Sequence, residues 1–133
     1  MNKTGSSQLR QQLGEQLRDL QSLAEMALGR SSILQGSLYE RRRRCGRPKC
    51  RCVRGRLHRG MALAVGPAHS RRIVTVPRMK VETIRSLTLG YRQFREARSG
   101  MARAFRALVR TFDELGRLRS VDVQDLRRST NTE

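Results

Sequence analysis

The centre of the chain, residues 41–60, reads RRRRCGRPKCRCVRGRLHRG. It holds all three cysteines of the sequence and one of the two histidines, in the pattern Cys45-x4-Cys50-x-Cys52-x5-His58. Four such donors in a short segment are typical of tetrahedral zinc sites, in which Zn–S distances are about 2.3 Å. Because the segment has few apolar side chains, metal binding would supply much of its folding free energy. The pattern therefore predicts a zinc-knuckle-like loop region over residues 36–60, with Zn²⁺ as the cofactor.

The spacing differs from the paired Cys-x2-Cys of zinc ribbons, so two alternatives stay open. In the first, the cysteines are free thiols and His58 binds no metal. In the second, His69 replaces His58 as the fourth ligand; we prefer His58, because His69 falls in a predicted turn. Neighbouring arginines favour the thiolate, which is the form that binds metal. The predicted ligands are therefore Cys45, Cys50, Cys52 and His58.

The same region is rich in arginine and free of carboxylates. No acidic residue lies between Glu40 and Glu82. Arginine offers a planar fork that matches phosphate groups and base edges, so these side chains are candidate nucleic-acid contacts. A solvated charged face is the alternative interpretation of such a run. The candidate contacts are Arg41, Arg42, Arg43, Arg44, Arg47, Lys49, Arg51, Arg54, Arg56, Arg59, Arg71 and Arg72.

The whole chain is strongly basic. It has 29 Lys and Arg residues against 11 Asp and Glu residues, which gives a formal charge of +18. Such a charge repels itself in a compact protein unless a polyanion neutralises it, and nucleic acid is the polyanion that we expect. The basic segment lacks the interleaved aromatic residues of a single-strand stacking platform. We therefore expect duplex or structured nucleic acid, and DNA rather than RNA.

Cysteine use and the first residues bear on location. Three cysteines do not suggest a disulfide framework and fit a reducing compartment. No apolar stretch follows Lys3, so we expect no secretory signal, and no run of about 18 apolar residues predicts a transmembrane helix. We expect a cytoplasmic protein with no membrane contact, and the nucleoid is a candidate location.

Helical patterns flank the centre on both sides. Residues 1–6 are small and polar and predict a disordered tail. After them, apolar residues recur at steps of four and three, which predicts an N-terminal amphipathic helix over residues 7–29. This pattern rests on Leu13, Leu17, Leu20, Ala24 and Ala27.

The C-terminal side begins with a predicted β-hairpin over residues 61–76, in which a turn separates an apolar run from a β-branched run. Pro77 ends the second strand, and a long heptad helix is predicted over residues 78–119. Residues 120–133 are expected to be weakly structured. The apolar residues at the a and d positions of the heptads are Ile84, Leu87, Tyr91, Phe94, Met101, Phe105, Leu108, Phe112 and Leu115.

These elements together predict the fold class. We expect a mainly α protein with a small β-hairpin, in which two long helices, the second coiled-coil-like, flank the zinc-knuckle-like loop region. A heptad seam of this length pairs with another helix. We therefore expect a homodimer through residues 78–119, or a long helix that folds back on the N-terminal helix of the same chain.

The central motif resembles that of a family of uncharacterised small basic prokaryotic proteins, which are often found near transposase genes and other mobile-element genes. The resemblance rests on the residues 36–41, 44–52 and 55–58, and it extends over roughly residues 36–98. It implies an accessory role in mobile-element or host DNA transactions. One departure is that the family follows its histidine with Gly-Pro and an aromatic-rich strand, whereas Arg59-Gly60-Met61-Ala62-Leu63 stands here.

The sequence therefore predicts a nucleic-acid-binding accessory protein that contacts phosphates through its arginine-rich module. The alternative is a coiled-coil adaptor that binds a protein partner such as a transposase. We do not expect an enzyme, because four protein ligands would close the metal site and no carboxylate lies near the cysteines. No catalytic residue is predicted.

Overall fold

The computed structural model describes residues 3–130, with Lys3 described only by its backbone. Within residues 3–130, six main elements follow one another, and short 3₁₀ turns lie at Arg51–Arg54, Ala68–Ser70 and Arg78–Lys80. The predicted fold class is confirmed: the protein is mainly helical, with a small antiparallel sheet and a cysteine-rich loop region between two long helices. The elements are α1 (Lys3–Ala27), β1 (Gly36–Arg43), β2 (His58–Val65), β3 (Arg72–Val76), α2 (Val81–Arg119) and α3 (Val123–Thr130).

The chain divides into two compact units, which we name the helical unit and the sheet unit. The helical unit comprises Met1–Leu28 together with Ala97–Glu133. The sheet unit comprises Gly29–Glu96. Helix α2 contributes its first part to the sheet unit and the rest to the helical unit, so the boundary falls within a continuous helix.

In the helical unit, α1 runs antiparallel to the second part of α2. A Cβ at Gly5 would lie 3.9 Å from Leu118, near the C-terminal end of α2. At the other end of the pair, a Cβ at Gly100 would lie 3.2 Å from Leu23. The core between the two helices consists of Leu9, Leu13, Leu108 and Leu115, with Leu20 packed against it.

Helix α1 begins earlier than the sequence predicts. Residues 3–6 are helical, so the disordered tail predicted over residues 1–6 is wrong for them, and residues 1 and 2 lie outside the described residues. The physical reason lies at Ser6, which is buried and accepts a hydrogen bond from Arg10 one turn later. The helix ends at Ala27, two residues before the predicted end.

The buried face of α2 differs from the predicted heptad seam. Phe105 and Phe112, both predicted at seam positions, are 56% and 49% exposed. In their place Ala97 and Thr111 are buried, together with the predicted seam residue Leu108. Leu108 and Leu115 are buried as predicted, whereas Ala97 and Thr111 are buried one residue before the predicted positions Arg98 and Phe112, so the two faces overlap in part. Coiled-coil pairing with another chain stays a prediction.

The sheet has three strands in the order β1-β2-β3, each antiparallel to its neighbour. Strands β2 and β3 form a hairpin within the predicted range 61–76, although β2 starts earlier, at His58. Strand β1 was predicted as part of a loop region, which is wrong for Gly36–Arg43. Its pairing with all eight residues of β2, including Leu38 opposite Leu63, provides the backbone partners that override the poor strand preference of its arginines.

The remaining differences lie at helix ends. Residues 78–80, predicted as the start of the long helix, form a 3₁₀ turn after Pro77, and α2 starts at Val81. Residues 123–130, predicted to be weakly structured, form α3; the Asp122 carboxylate accepts a hydrogen bond of 2.9 Å from the backbone N–H of Gln124 and so caps this helix. Residues 131–133 lie outside the described residues. No helix in the range 3–130 is long and apolar enough to cross a membrane.

Candidate metal centre

The four predicted ligands meet at one end of the sheet. The register of β1 and β2 places Arg43, the last residue of β1, opposite His58, the first residue of β2. Cys45 follows β1 by two residues, so it lies beside the start of β2. Cys50 and Cys52 come from the connection between the two strands. The antiparallel pairing thus closes a loop whose two ends both carry ligands.

The ligand atoms of these four residues lie within 4.8 Å of one another. The Sγ atoms of Cys45 and Cys52 are 3.6 Å apart, and the Sγ atom of Cys50 is 3.0 Å from Nε2 of His58. Two sulfurs bound to one tetrahedral zinc would be about 3.8 Å apart, which is close to the first of these distances. Cys52 is completely buried, whereas Cys45 and His58 are exposed, so the cluster lies at the surface.

Turns within the loop bring the cysteines together. Gly46 and Gly55 have φ angles of 83° and 100°, in the left-handed region that glycine adopts without strain. The backbone N–H of Cys50 donates to the carbonyl of Arg47 at 3.2 Å, and that of Gly55 donates to the carbonyl of Cys52 at 3.2 Å. Cys52 lies in the 3₁₀ turn Arg51–Arg54, which directly follows Cys50.

Hydrogen bonds shift the pKa values of Cys50 and Cys45 in opposite directions. The backbone N–H of Cys52, together with hydrogen bonds from the side chains of Cys45, His58 and Cys52, lowers the pKa of the Cys50 thiol to about 6. The pKa of Cys45 is raised: the backbone N–H of Arg47 lowers it, but the hydrogen bond with Cys50, desolvation and the hydrogen bond with Cys52 together outweigh that effect. The lowered pKa of Cys50 favours its thiolate, which is the form that binds a metal ion.

The donor set fits a metal ion. Three sulfurs and one imidazole nitrogen form one of the usual ligand sets of structural zinc sites, and four protein ligands would complete a tetrahedron. His69, the alternative fourth ligand, lies in the 3₁₀ turn Ala68–Ser70 and is not part of the cluster. The four residues predicted from the sequence are thus the four that the structure brings together.

The predicted arginine contacts fall into three groups. Six side chains of the loop are exposed around the cluster: Arg44, Arg47, Lys49, Arg51, Arg54 and Arg56. A second group lies on the strands at the same end of the sheet: Arg41, Arg42, Arg43 and Arg59.

The third group, Arg71 and Arg72, lies apart from the cluster. Arg72 pairs with Val65, seven residues along β2 from His58. At a rise of about 3.3 Å per residue this corresponds to roughly 23 Å. The structure therefore does not bring this group together with the others.

Two residues of this region were missed by the sequence reasoning. Glu40 lies within 3.6 Å of the guanidinium of Arg42 and 3.7 Å of that of Arg59, so it holds two of the predicted contacts in ion pairs. Gly60 pairs with Arg41 in the sheet and leaves open space where a side chain would be. Successive side chains of a strand alternate between its two faces. If β1 had been predicted as a strand, this alternation would have assigned the arginines of the run to two different faces.

Comparison with known families matches the part of the chain that contains this region. Residues 6–60 match the model of a family described as a domain of unknown function, DUF6788. The matched range runs from α1 to the start of β2 and contains all four cluster residues, whereas β3 and α2 lie beyond it. It overlaps the resemblance expected from the sequence, roughly residues 36–98, in residues 36–60. Neither the curated proteins nor the solved structures contain a match to this chain.

Proposed function

We propose that this protein binds nucleic acid, DNA rather than RNA, through an arginine-rich module that is ordered by a zinc ion. The observation that carries the proposal is the position of the cluster: its four ligand atoms lie within 4.8 Å of one another, and the basic side chains of the same loop are exposed around them. A bound zinc would fix the loop and so fix the directions of these arginines. Pre-ordered donors lose less entropy when they bind phosphates.

Charge also supports the proposal. Three thiolates and a neutral imidazole around Zn²⁺ leave a net charge of about −1, which the neighbouring arginines exceed several-fold. No carboxylate follows Glu40 until Glu82, so the loop has no acidic residue of its own to neutralise them. Phosphates of a nucleic acid would neutralise them and release counterions.

We propose an accessory role rather than catalysis. Zinc held by four protein ligands has no open coordination position for a reacting water, which catalytic zinc requires. The resemblance of the central motif supports a role beside a transposase in mobile-element DNA transactions, in the cytoplasm or at the nucleoid. Metal-dependent cleavage of DNA by the purified protein would overturn the non-catalytic part of this proposal.

The salt dependence of binding tests the main proposal. Fluorescence anisotropy of a labelled DNA duplex of mixed sequence, about 20 base pairs long, gives the dissociation constant at each NaCl concentration. For six to ten phosphate contacts, affinity should fall by about 10³ to 10⁵ between about 50 and 200 mM salt. Equal affinity at both concentrations, or no binding in dilute buffer, would contradict the proposal.

Matched charge variants serve as the control in the same assay. The double variant Arg54→Gln with Arg56→Gln removes two charges from the loop, and Arg117→Gln with Arg119→Gln removes two charges from the last turn of α2. The first pair should weaken binding more than the second, because the loop arginines are proposed to contact phosphates and those of α2 are not. A duplex RNA competitor of the same length separates DNA from RNA binding.

A second candidate function is the adaptor role, and one observation favours it. Phe105, Val109 and Phe112 are exposed on one side of α2, at spacings that place them on neighbouring turns. Such an apolar face is typical of a helix that pairs with another protein, either a transposase or a second copy of this chain. Sedimentation equilibrium tests the second copy: the protein should be a dimer, and Phe105→Glu should make it monomeric. A monomeric native protein would exclude the homodimer.

A further inference from the structure

The arginine run at the end of β1 is divided by the sheet into two faces with different surroundings. Successive residues of a strand point to opposite sides, so Arg41 and Arg43 share one face and Arg42 lies on the other. Residues directly opposite each other in the register share a face. Gly60 and His58 of β2 therefore lie on the face of Arg41 and Arg43.

On that face, a partly enclosed groove of about 180 Å³ leads away from the metal cluster. Arg41, Arg43 and the cluster ligand His58 line it, with Thr75 of β3 at its far side, and Arg59 and Met61 of β2 also border it. Gly60 forms part of its floor, and a Cβ built at Gly60 would meet no atom within 4 Å. The groove exists because glycine, rather than a larger residue, occupies this position of β2.

Arg41 is held in place across the groove. Its Nη2 donates a hydrogen bond of 3.3 Å to the hydroxyl of Thr75. This bond joins β1 to β3, which are the two outer strands of the sheet. A guanidinium has five N–H donors, so the other donors remain for a ligand. Arg43 is exposed at the end of the strand that lies beside the cluster.

The opposite face offers a different environment. There Glu40 pairs with Arg42 at 3.6 Å and with Arg59 at 3.7 Å. Because one carboxylate lies between these two guanidinium groups, an approaching phosphate would meet its negative charge. Glu40 does not line the groove on the Arg41 face.

We propose that this groove binds a backbone phosphate of DNA through Arg41 and Arg43, since the third arginine that borders it, Arg59, is already paired with Glu40. Arg42, their neighbour in sequence, takes no part. The groove would position one strand beside the cluster, so the two arginines act as one phosphate subsite of the larger basic surface. This inference rests on the proposed function, because it assigns a subsite within the nucleic-acid-binding module. Phosphate contacts fix position without reading sequence, so the subsite should act alike on duplexes of different sequence.

The test compares Arg41→Gln with Arg42→Gln, which remove the same charge from adjacent positions of one strand. Each zinc-loaded full-length variant is titrated into a labelled DNA duplex of about 20 base pairs by fluorescence anisotropy at several salt concentrations. Arg41→Gln should weaken binding about tenfold and reduce the slope of log K against log salt by about one, as expected for one lost phosphate contact. Arg42→Gln should change affinity about twofold or less.

A second variant fills the groove without changing charge. Gly60→Leu projects a side chain into open space, so the backbone need not move, and it should weaken binding about as much as Arg41→Gln. Circular dichroism and zinc content check that each variant is folded, and the comparison of the two arginine variants stands if Gly60→Leu is not. Equal losses for Arg41→Gln and Arg42→Gln would overturn the subsite while leaving the proposed function intact. Absence of binding by the native protein would overturn both.

Discussion

The helical unit and the sheet unit bury different kinds of side chain. In the helical unit the buried core consists of four leucines, Leu9, Leu13, Leu108 and Leu115. In the sheet unit the completely buried side chains are small, and the largest among the described residues is Cys52, a member of the metal cluster. The first unit is therefore stabilised mainly by apolar burial, whereas we expect the second, whose buried apolar residues are Leu63, Val76 and small side chains, to depend on bound metal as well.

Removal of metal should have the largest effect, because we expect it to destabilise the sheet unit and to leave the helical unit stable. Structural zinc in small domains contributes on the order of 10–16 kcal/mol of apparent binding free energy, and domains of this kind unfold without it. We expect a chelator to abolish hydrogen-exchange protection over residues 36–65 and to leave the second part of α2 protected. Hydrogen exchange followed by mass spectrometry measures both regions in one experiment.

A matched pair of variants separates ligand loss from a general effect of substitution. Cys52→Ser removes a buried ligand, whereas Val53→Ser changes the exposed residue next to it. Only Cys52→Ser should reproduce the pattern of the chelated protein, and added Zn²⁺ should restore the native protein but not this variant. Unchanged protection of the sheet in the chelated protein would show that the sheet unit is stable without its ligands.

The comparison also explains which parts of the fold could be predicted from the sequence. The long helices follow from apolar periodicity, and the cluster follows from the spacing of Cys45, Cys50, Cys52 and His58, because both signals are local. Strand β1 could not be predicted in this way. Its arginines read as a charge run, and its partner β2 lies beyond the whole metal loop, so its stability comes from pairing that no local pattern contains.

The exposed phenylalanines show a second limit. A heptad pattern locates an apolar stripe but does not say which of two adjacent faces a partner helix covers. In α2 the small residues Ala97 and Thr111 are buried, and Phe105 and Phe112 remain exposed although they are more apolar. The choice depends on the shape of α1, which composition alone does not reveal.

A smaller effect is expected in the helical unit, where two substitutions test how much apolar burial contributes to stability. Leu108 is 6% exposed and Phe105 is 56% exposed, although both lie on α2 and both occupy predicted seam positions. Leu108→Ala should lower the free energy of unfolding by about 2–5 kcal/mol, because it removes buried methyl groups and leaves a cavity. Phe105→Ala should cost about 0.5 kcal/mol or less in a monomer, since its ring is already in contact with water.

Amide exchange in the second part of α2 measures both changes, and neither variant should alter zinc content. A cost for Phe105→Ala that grows with protein concentration would instead mean that a second chain covers this ring, and the helical unit would then owe part of its stability to a dimer.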